Sequence, residues 1–226
     1  MKIEILDETG STNEYVRRYL PYGQDVLVVA RKQTAGKGTK GRSFLSREGG
    51  VYLSRLKFYS HFPAHDAFLA VAQAAVAVCR TAEFYGLRPE IKWPNDVYLS
   101  GKKLAGILAE NVIEGECLKA CIVGIGLNVN NDLGDLSEIA IGLSSQLEEP
   151  LAVEEVRARL IENLEKHSDF SDYLERVRFL GKEVVVTENG ESYSALARRI
   201  ESDGALTIEY CGKERKLSAA EISLAI

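Results

Sequence analysis

The chain has 226 residues, of which 46% are hydrophobic and 27% charged, and a mean hydropathy of −0.11. That length excludes three or more full domains, and the apolar content excludes a disordered chain, since enough apolar surface is available to offset chain entropy. A net charge of −5 and a pI near 5.4 set the surface as a whole against polyanions, so any anion site has to be local.

The first twenty residues carry Asp7, Glu8, Glu14, Arg17 and Arg18, which break up any apolar leader. Residues 2–6 alternate like a short strand, and Ser11-Thr12-Asn13 offers capping oxygens to a helix that ends by Pro21. Asp25 to Arg31 reads as a buried strand. Lys32 to Gly50 holds five glycines and no period, which predicts a long loop of the kind that carries function. A strand resumes over Val51 to Phe58, and Ala64 to Phe84 has helix length with apolar residues on nearly every face. Its longest near-apolar run, Ala67 to Cys79, is 13 residues, short of the roughly 20 that span a membrane, so no membrane association is expected.

Short strands follow at Glu90 to Trp93 and Asp96 to Leu99, then at Lys103 to Val112 and Leu118 to Val129, a mostly antiparallel meander. Val153 to Leu180 is helical in pattern. Residues 182–224 are short strands punctuated by Asn189-Gly190, Asp203-Gly204 and Cys211-Gly212, dipeptides that tolerate the positive φ of hairpin turns. The pattern predicts an α+β domain over residues 1–178, a mixed, mostly antiparallel sheet packed with helices, and a small β-barrel over 179–226. Cysteines at 79, 117, 121 and 211 fit reduced, mostly buried thiols in a cytoplasmic protein better than a disulfide framework, with Cys117 and Cys121 as packing residues on or beside a strand.

The local anion site lies between Arg31 and Arg42, where RKQTAGKGTKGR carries five basic residues, three glycines and no acid. Glycines let the backbone turn its N–H groups toward a ligand, while lysine and arginine neutralise phosphate. Gly36, Gly38 and Gly41 spell G-x-G-x-x-G, and Gly36 to Ser43 approaches a P-loop, but both motifs need a following helix to receive the phosphate. A strand follows instead, and Arg42 stands where a P-loop has lysine.

Downstream lie Lys92-Trp93-Pro94-Asn95-Asp96, then KLAGIL from Lys103, then GIGLNVN from Gly124. With Ser11-Thr12-Asn13 upstream and the glycine loop between, this order and spacing resembles the biotin protein ligases. The ending EISL at Glu221 to Leu224 is similar to that family's small C-terminal SH3-like barrel. The resemblance implies activation of biotin with ATP and Mg²⁺ to biotinyl-5′-AMP, then transfer to a lysine of a biotin carboxyl carrier protein, that of acetyl-CoA carboxylase or a related enzyme.

It also implies the site. Ser11, Thr12, Asn13, Gln33, Lys37, Gly38, Thr39, Lys103 and Gly106 belong to the biotin pocket, and Gly36, Lys37, Arg42, Asn95 and Asn128 to the nucleotide. Lys103, Lys37 and Asp96 are the catalytic set; Asp96 serves amine transfer or lies near the metal, for which no other ligand is assigned. These residue types suit the chemistry. A ureido ring offers two donors and one acceptor on an apolar body, and carboxylate activation crowds negative charge on phosphorus.

Lys37 and Thr39 stand where relatives commonly have arginines, Phe44 where they commonly have tryptophan, and Ala225 where many have an arginine near the nucleotide. Ten residues before Ser11 leave no room for a helix-turn-helix, so DNA binding is not expected, while a homodimer is compatible with the resemblance. The rival readings are a lipoate or octanoate ligase or transferase of the related family, and a nucleotide or single-stranded nucleic-acid binding module.

Overall fold

In the computed structural model, residues 1–188, 190–218 and 222–225 are described, with side chains through residue 218. Asn189 of the first expected hairpin turn, and the side chains of Glu221 to Ala225, lie outside them.

Seven strands form the larger sheet: β1 (Lys2–Thr9), β2 (Val26–Gln33), β3 (Val51–Pro63), β4 (Glu90–Lys92), β5 (Asp96–Leu99), β6 (Lys102–Glu114) and β7 (Cys117–Leu127). Their spatial order is β1-β2-β3-β7-β6-β5-β4, antiparallel throughout except for the parallel β1–β2 pair. β1 and β2 run two to three residues beyond their predicted ends, because their pairing continues to Thr9↔Gln33. That extension carries Gln33 to the pocket described below.

Side chains alternate across β2: Leu27 and Val29 face the main core, Val26 and Val28 a smaller one on the opposite side. The main core is covered by α2 (Phe68–Phe84), α3 (Val153–Glu165) and α4 (Phe170–Leu174). With its leading 3-10 turn, Ala64–Phe84 has the length and hydropathy of a membrane span, contrary to the shorter run read from sequence; 61% of its most apolar stretch is buried inside the fold. The helical pattern read over Val153 to Leu180 is realised as two helices, α3 and α4, ending at Leu174, and between them Asp169 and Asp172 form a reciprocal capping box that starts α4.

The smaller core packs under α1 (Thr12–Val16), whose Val16 meets Val26, Val28, Leu56, Ala120 and Ile122. On β7 the same face continues from Ala120 and Ile122 to Gly124 and Gly126. Where β7 turns from isoleucine to glycine, the strand carries no side chain on this face, and neighbouring groups pack directly on its backbone.

The second sheet has the order β11-β10-β9-β8-β12, built from β8 (Glu183–Glu188), β9 (Glu191–Ile200), β10 (Leu206–Tyr210), β11 (Lys213–Leu217) and β12 (Ile222–Ala225). Cys211 and Gly212 turn the β10–β11 hairpin with φ of 51° and 73°, as a two-residue loop requires. The two sheets share one core: the Trp93 indole donates to the Gly204 carbonyl at 2.9 Å, and Phe179 is fully buried between them.

Candidate active site

One cavity of about 560 Å³ opens on the face of the sheet that bears Gly124 and Gly126. Its floor is the β6–β7 pair, where Gly106 lies opposite Gly126 and Leu108 opposite Gly124. The Phe44 ring lies over Gly106 and Gly126, and a methyl group at Gly126 would run into it. Having no side chain, Gly126 lets the Phe44 ring pack directly on the sheet, and Gly124 does the same for the Asn13 carboxamide.

The structure brings nearly all the sequence-predicted residues to this cavity. Ser11, Thr12, Asn13, Gln33, Lys37, Gly38, Thr39, Arg42, Asn95, Asp96, Lys103, Gly106 and Asn128 line it. Gly36 does not; it packs behind the loop against the Phe44 carbonyl and the Gln33 amide, with no room for a side chain.

The expected side-chain cap on α1 is not formed. Ser11 is the N-cap residue but makes no capping hydrogen bond, and Gln33 Oε1 instead accepts from the Thr12 N–H at 2.8 Å. The cap is supplied from β2, which leaves the Ser11 hydroxyl facing the cavity. Gln33 Nε2 donates to Ser46 Oγ at 2.8 Å, fastening the far end of the glycine loop to the same wall. Asn13 is buried and its amide is spent inside the protein: Oδ1 accepts from Ser54 at 2.6 Å and Nδ2 donates to Glu110 at 2.8 Å.

The glycine loop is more ordered than an aperiodic stretch predicts. Bridges join Gln33 to Ser46 and Lys37 to Ser43, a 3-10 turn spans Thr39–Gly41, and no helix receives the G-x-G-x-x-G motif. Its cations are partnered rather than unpaired. Lys37 Nζ contacts Glu14 Oε1 at 2.5 Å, and this hydrogen bond above all holds the Glu14 carboxyl below its ordinary range. Arg42 donates to the Thr39 hydroxyl at 3.1 Å and to the Thr39 carbonyl at 3.3 Å.

On the opposite wall, Lys103 Nζ lies 2.7 Å from Asp96 Oδ1. Asp96 is the only carboxylate among the described residues that line the cavity. Beside it, burial raises the Tyr98 phenol, the Asp96 charge adds to the rise and Arg42 opposes it. Asn95 Nδ2 donates to the Ile107 carbonyl at 2.6 Å, and the buried Asn128 accepts from Asn131 at 3.1 Å.

Sequence reasoning missed the apolar end of the cavity, where Leu133, Leu136, Ile139 and Ala140 line it. Leu136 and Ile139 are exposed, 39% and 65%, in a stretch without strand or helix period. No local pattern marks this end; the alternating glycines of GIGLNVN mark only a strand face without side chains.

A glycine-backed floor, a wall of small polar groups, an apolar end and a cation-bearing glycine loop give the cavity groups suited to a ligand with an apolar body and negative charge. Residues 4–128 match the biotin/lipoate A/B protein ligase family, and the chain belongs to that family. Among its relatives is the bifunctional ligase/repressor BirA of Bacillus subtilis, 34% identical over 98% of this chain and 72% of that protein. The biotin--[acetyl-CoA-carboxylase] ligase of Mycobacterium tuberculosis is 28% identical over 98% of this chain and 88% of its own length. A biotin protein ligase from Aquifex aeolicus, solved in complex with biotin and ATP, superposes with a TM-score of 0.77 at 27% identity, covering 99% of this chain and 98% of that one.

Proposed function

We propose that the protein is a cytoplasmic, ATP-dependent biotin ligase acting on the carrier protein of acetyl-CoA carboxylase or a related enzyme. The observation that carries the reading is the convergence of Ser11, Thr12, Gln33, Lys37, Arg42 and Lys103 on one cavity with an apolar floor. Residues 1–178 are the catalytic unit and 179–226 the barrel.

In the first step a biotin carboxylate oxygen attacks the α-phosphorus of ATP, the bond to the β-phosphate breaks and pyrophosphate leaves. Lys103, Lys37 and Arg42 offset the charge gathered at phosphorus. Ser11 donates to the ureido carbonyl, and Thr12 and Gln33 accept from its N–H groups. The purine packs on Leu133, Leu136 and Ile139, with Asn95 and Asn128 at its polar edge. In the second step a neutral lysine amine of the carrier attacks the acyl carbon, AMP leaves and the nitrogen sheds a proton.

Magnesium fits a wall with one carboxylate, because Mg²⁺ keeps several waters and takes few protein ligands beside substrate phosphates. Asp96 would hold it, and the bound ion would shield the triphosphate charge. Asp96 is also the group available to the incoming amine.

Pyrophosphate exchange with biotin, lipoate or octanoate as the sole acid tests the reading. Exchange is expected with biotin, and strict dependence on lipoate or octanoate would overturn it.

A further inference from the structure

A line of hydrogen bonds runs from a charge behind the cavity to its polar wall. Arg17 Nη2 contacts Glu110 Oε1 at 2.7 Å, and Asn13 Nδ2 donates to Glu110 Oε2 at 2.8 Å. Asn13 Oδ1 lies 2.6 Å from Ser54 Oγ, which lies 2.7 Å from Thr12 Oγ1, and Thr12 Oγ1 lies 3.0 Å from Gln33 Oε1. Ser54 is fully buried and Thr12 and Asn13 nearly so, so bulk water does not complete the line.

Counting protons orders it. The last three contacts join four oxygens but only the Ser54 and Thr12 hydroxyls carry hydrogen, so two protons must serve three contacts. The Glu110 carboxylate accepts only, which turns the Asn13 amide so that Nδ2 faces it and Oδ1 faces Ser54. The Leu108 carbonyl, at 3.5 Å from Nδ2, adds a weak bias the same way. Ser54 then gives its proton to Asn13. At 2.7 Å two bare oxygens would repel, so Thr12 gives its proton to Ser54, and the contact left without one is the longest, Thr12 to Gln33. Gln33 Oε1 is still satisfied by the Thr12 N–H. Thr12 Oγ1 and Gln33 Oε1 are left as a pair of acceptors side by side on the cavity wall.

We propose that Glu110, which does not itself line the cavity, is a positioning residue that sets the donor–acceptor polarity of Thr12, making this wall selective for a ligand that presents N–H groups. The inference rests on the biotin reading, since a ureido ring is such a ligand. Arg17 belongs to the device: its Nε is buried without a partner, and its charge holds one Glu110 oxygen while Asn13 takes the other.

The two residues make opposed demands on an amide in place of the carboxylate. In Glu110→Gln, Arg17 keeps the single amide oxygen and the amide nitrogen faces Asn13, which flips. Nδ2 then donates to Ser54, Ser54 to Thr12 and Thr12 to Gln33, so a hydroxyl hydrogen is committed where a ligand N–H should be accepted. Removing Arg17 as well frees the Gln oxygen to turn to Asn13 and restores the native order.

The test is calorimetric biotin binding by the wild type, Glu110→Gln, Arg17→Met and the double variant, with the Michaelis constant for ATP and the melting temperature beside it. Glu110→Gln should weaken biotin binding at least about tenfold, the scale of an accepting contact turned against its donor, with ATP affinity and melting temperature unchanged. The double variant should recover toward Arg17→Met. Unchanged biotin affinity in Glu110→Gln, an equal loss of ATP affinity or stability, or a double variant no better than Glu110→Gln would each overturn the inference while wild-type biotin binding keeps the functional reading intact. A wild type that does not bind biotin would sink that reading, and this one with it.

Discussion

Lys103 Nζ and Asp96 Oδ1 stand 2.7 Å apart across the neighbouring strands β6 and β5, and each lines the cavity. The pairing keeps the ammonium aimed into the site before any phosphate arrives. A preorganised cation avoids the cost of reorganising water as negative charge develops, which is where such groups have most effect.

Lys103→Ala should therefore retain the fold and lose adenylation by about 10²- to 10³-fold, the scale of removing one preorganised electrostatic stabiliser. Single-turnover formation of biotinyl-5′-AMP measures it. A near-normal rate in a thermally stable variant would show that Lys103 is not catalytic.

Gly124→Ala tests the seat of Asn13 on the floor. A methyl group there would overlap the Asn13 carboxamide, and even the amide nitrogen would be only 3.2 Å away. Asn13 is held at both ends by Ser54 and Glu110 and has little freedom to withdraw. Overpacking of this kind costs about 1 to 3 kcal/mol, so stability should drop by that order and biotin affinity about tenfold. Native biotin affinity in the variant would show that the seat of Asn13 does not shape the pocket.

Thr39 is the loop position at which retention of the proposed adenylate can be tested. Its hydroxyl and carbonyl accept from Arg42, so it steadies one cation without adding another. An arginine at this position brings a guanidinium fork that lysine and threonine lack. Thr39→Arg should slow release of biotinyl-5′-AMP roughly ten- to hundredfold, the value of about 1.5 to 3 kcal/mol for a charge-assisted contact, and reduce labelling of bystander lysines. Equal off-rates, measured without carrier protein, would mean that Lys40 already makes the contact.

The cysteines divide by burial. Cys117 and Cys211 are exposed and should react with a thiol reagent in the native protein, whereas Cys79 and Cys121 should react only on unfolding. Burial pushes the Cys121 thiol from 9.0 up to about 12 and raises Cys79 as well. Both remain protonated in the folded chain where the unfolded chain has begun to ionise. Their contribution to stability is complete below pH 9 and falls as pH rises toward 12, as does that of the buried Tyr59 phenol, so the Cys121 share is read as the difference between wild type and Cys121→Ala in denaturant titrations across that range. A flat profile would contradict the burial.

Much of the site is legible in the sequence because its chemistry is carried by short contiguous runs. Ser11-Thr12-Asn13, the glycine loop, Asn95-Asp96, Lys103 and Asn128 all reach the cavity from segments whose composition marks them out. Alternation and turn dipeptides likewise place most strands, since a period of two and a positive φ are local properties. Tertiary structure alone decided what those side chains do on arrival. Gln33 rather than Ser11 caps α1, because a parallel strand pairing carries β2 two residues further. Lys37 meets Glu14 and Asn13 meets Glu110, contacts separated by 23 and 97 residues that no local pattern encodes. Leu136 and Ile139 look like ordinary loop residues until the chain returns them to the cavity wall. A residue's type determines which hydrogen bonds and charges it can offer; which partner consumes them depends on where the chain brings it, and that leaves some groups spent inside the protein and others free for a ligand.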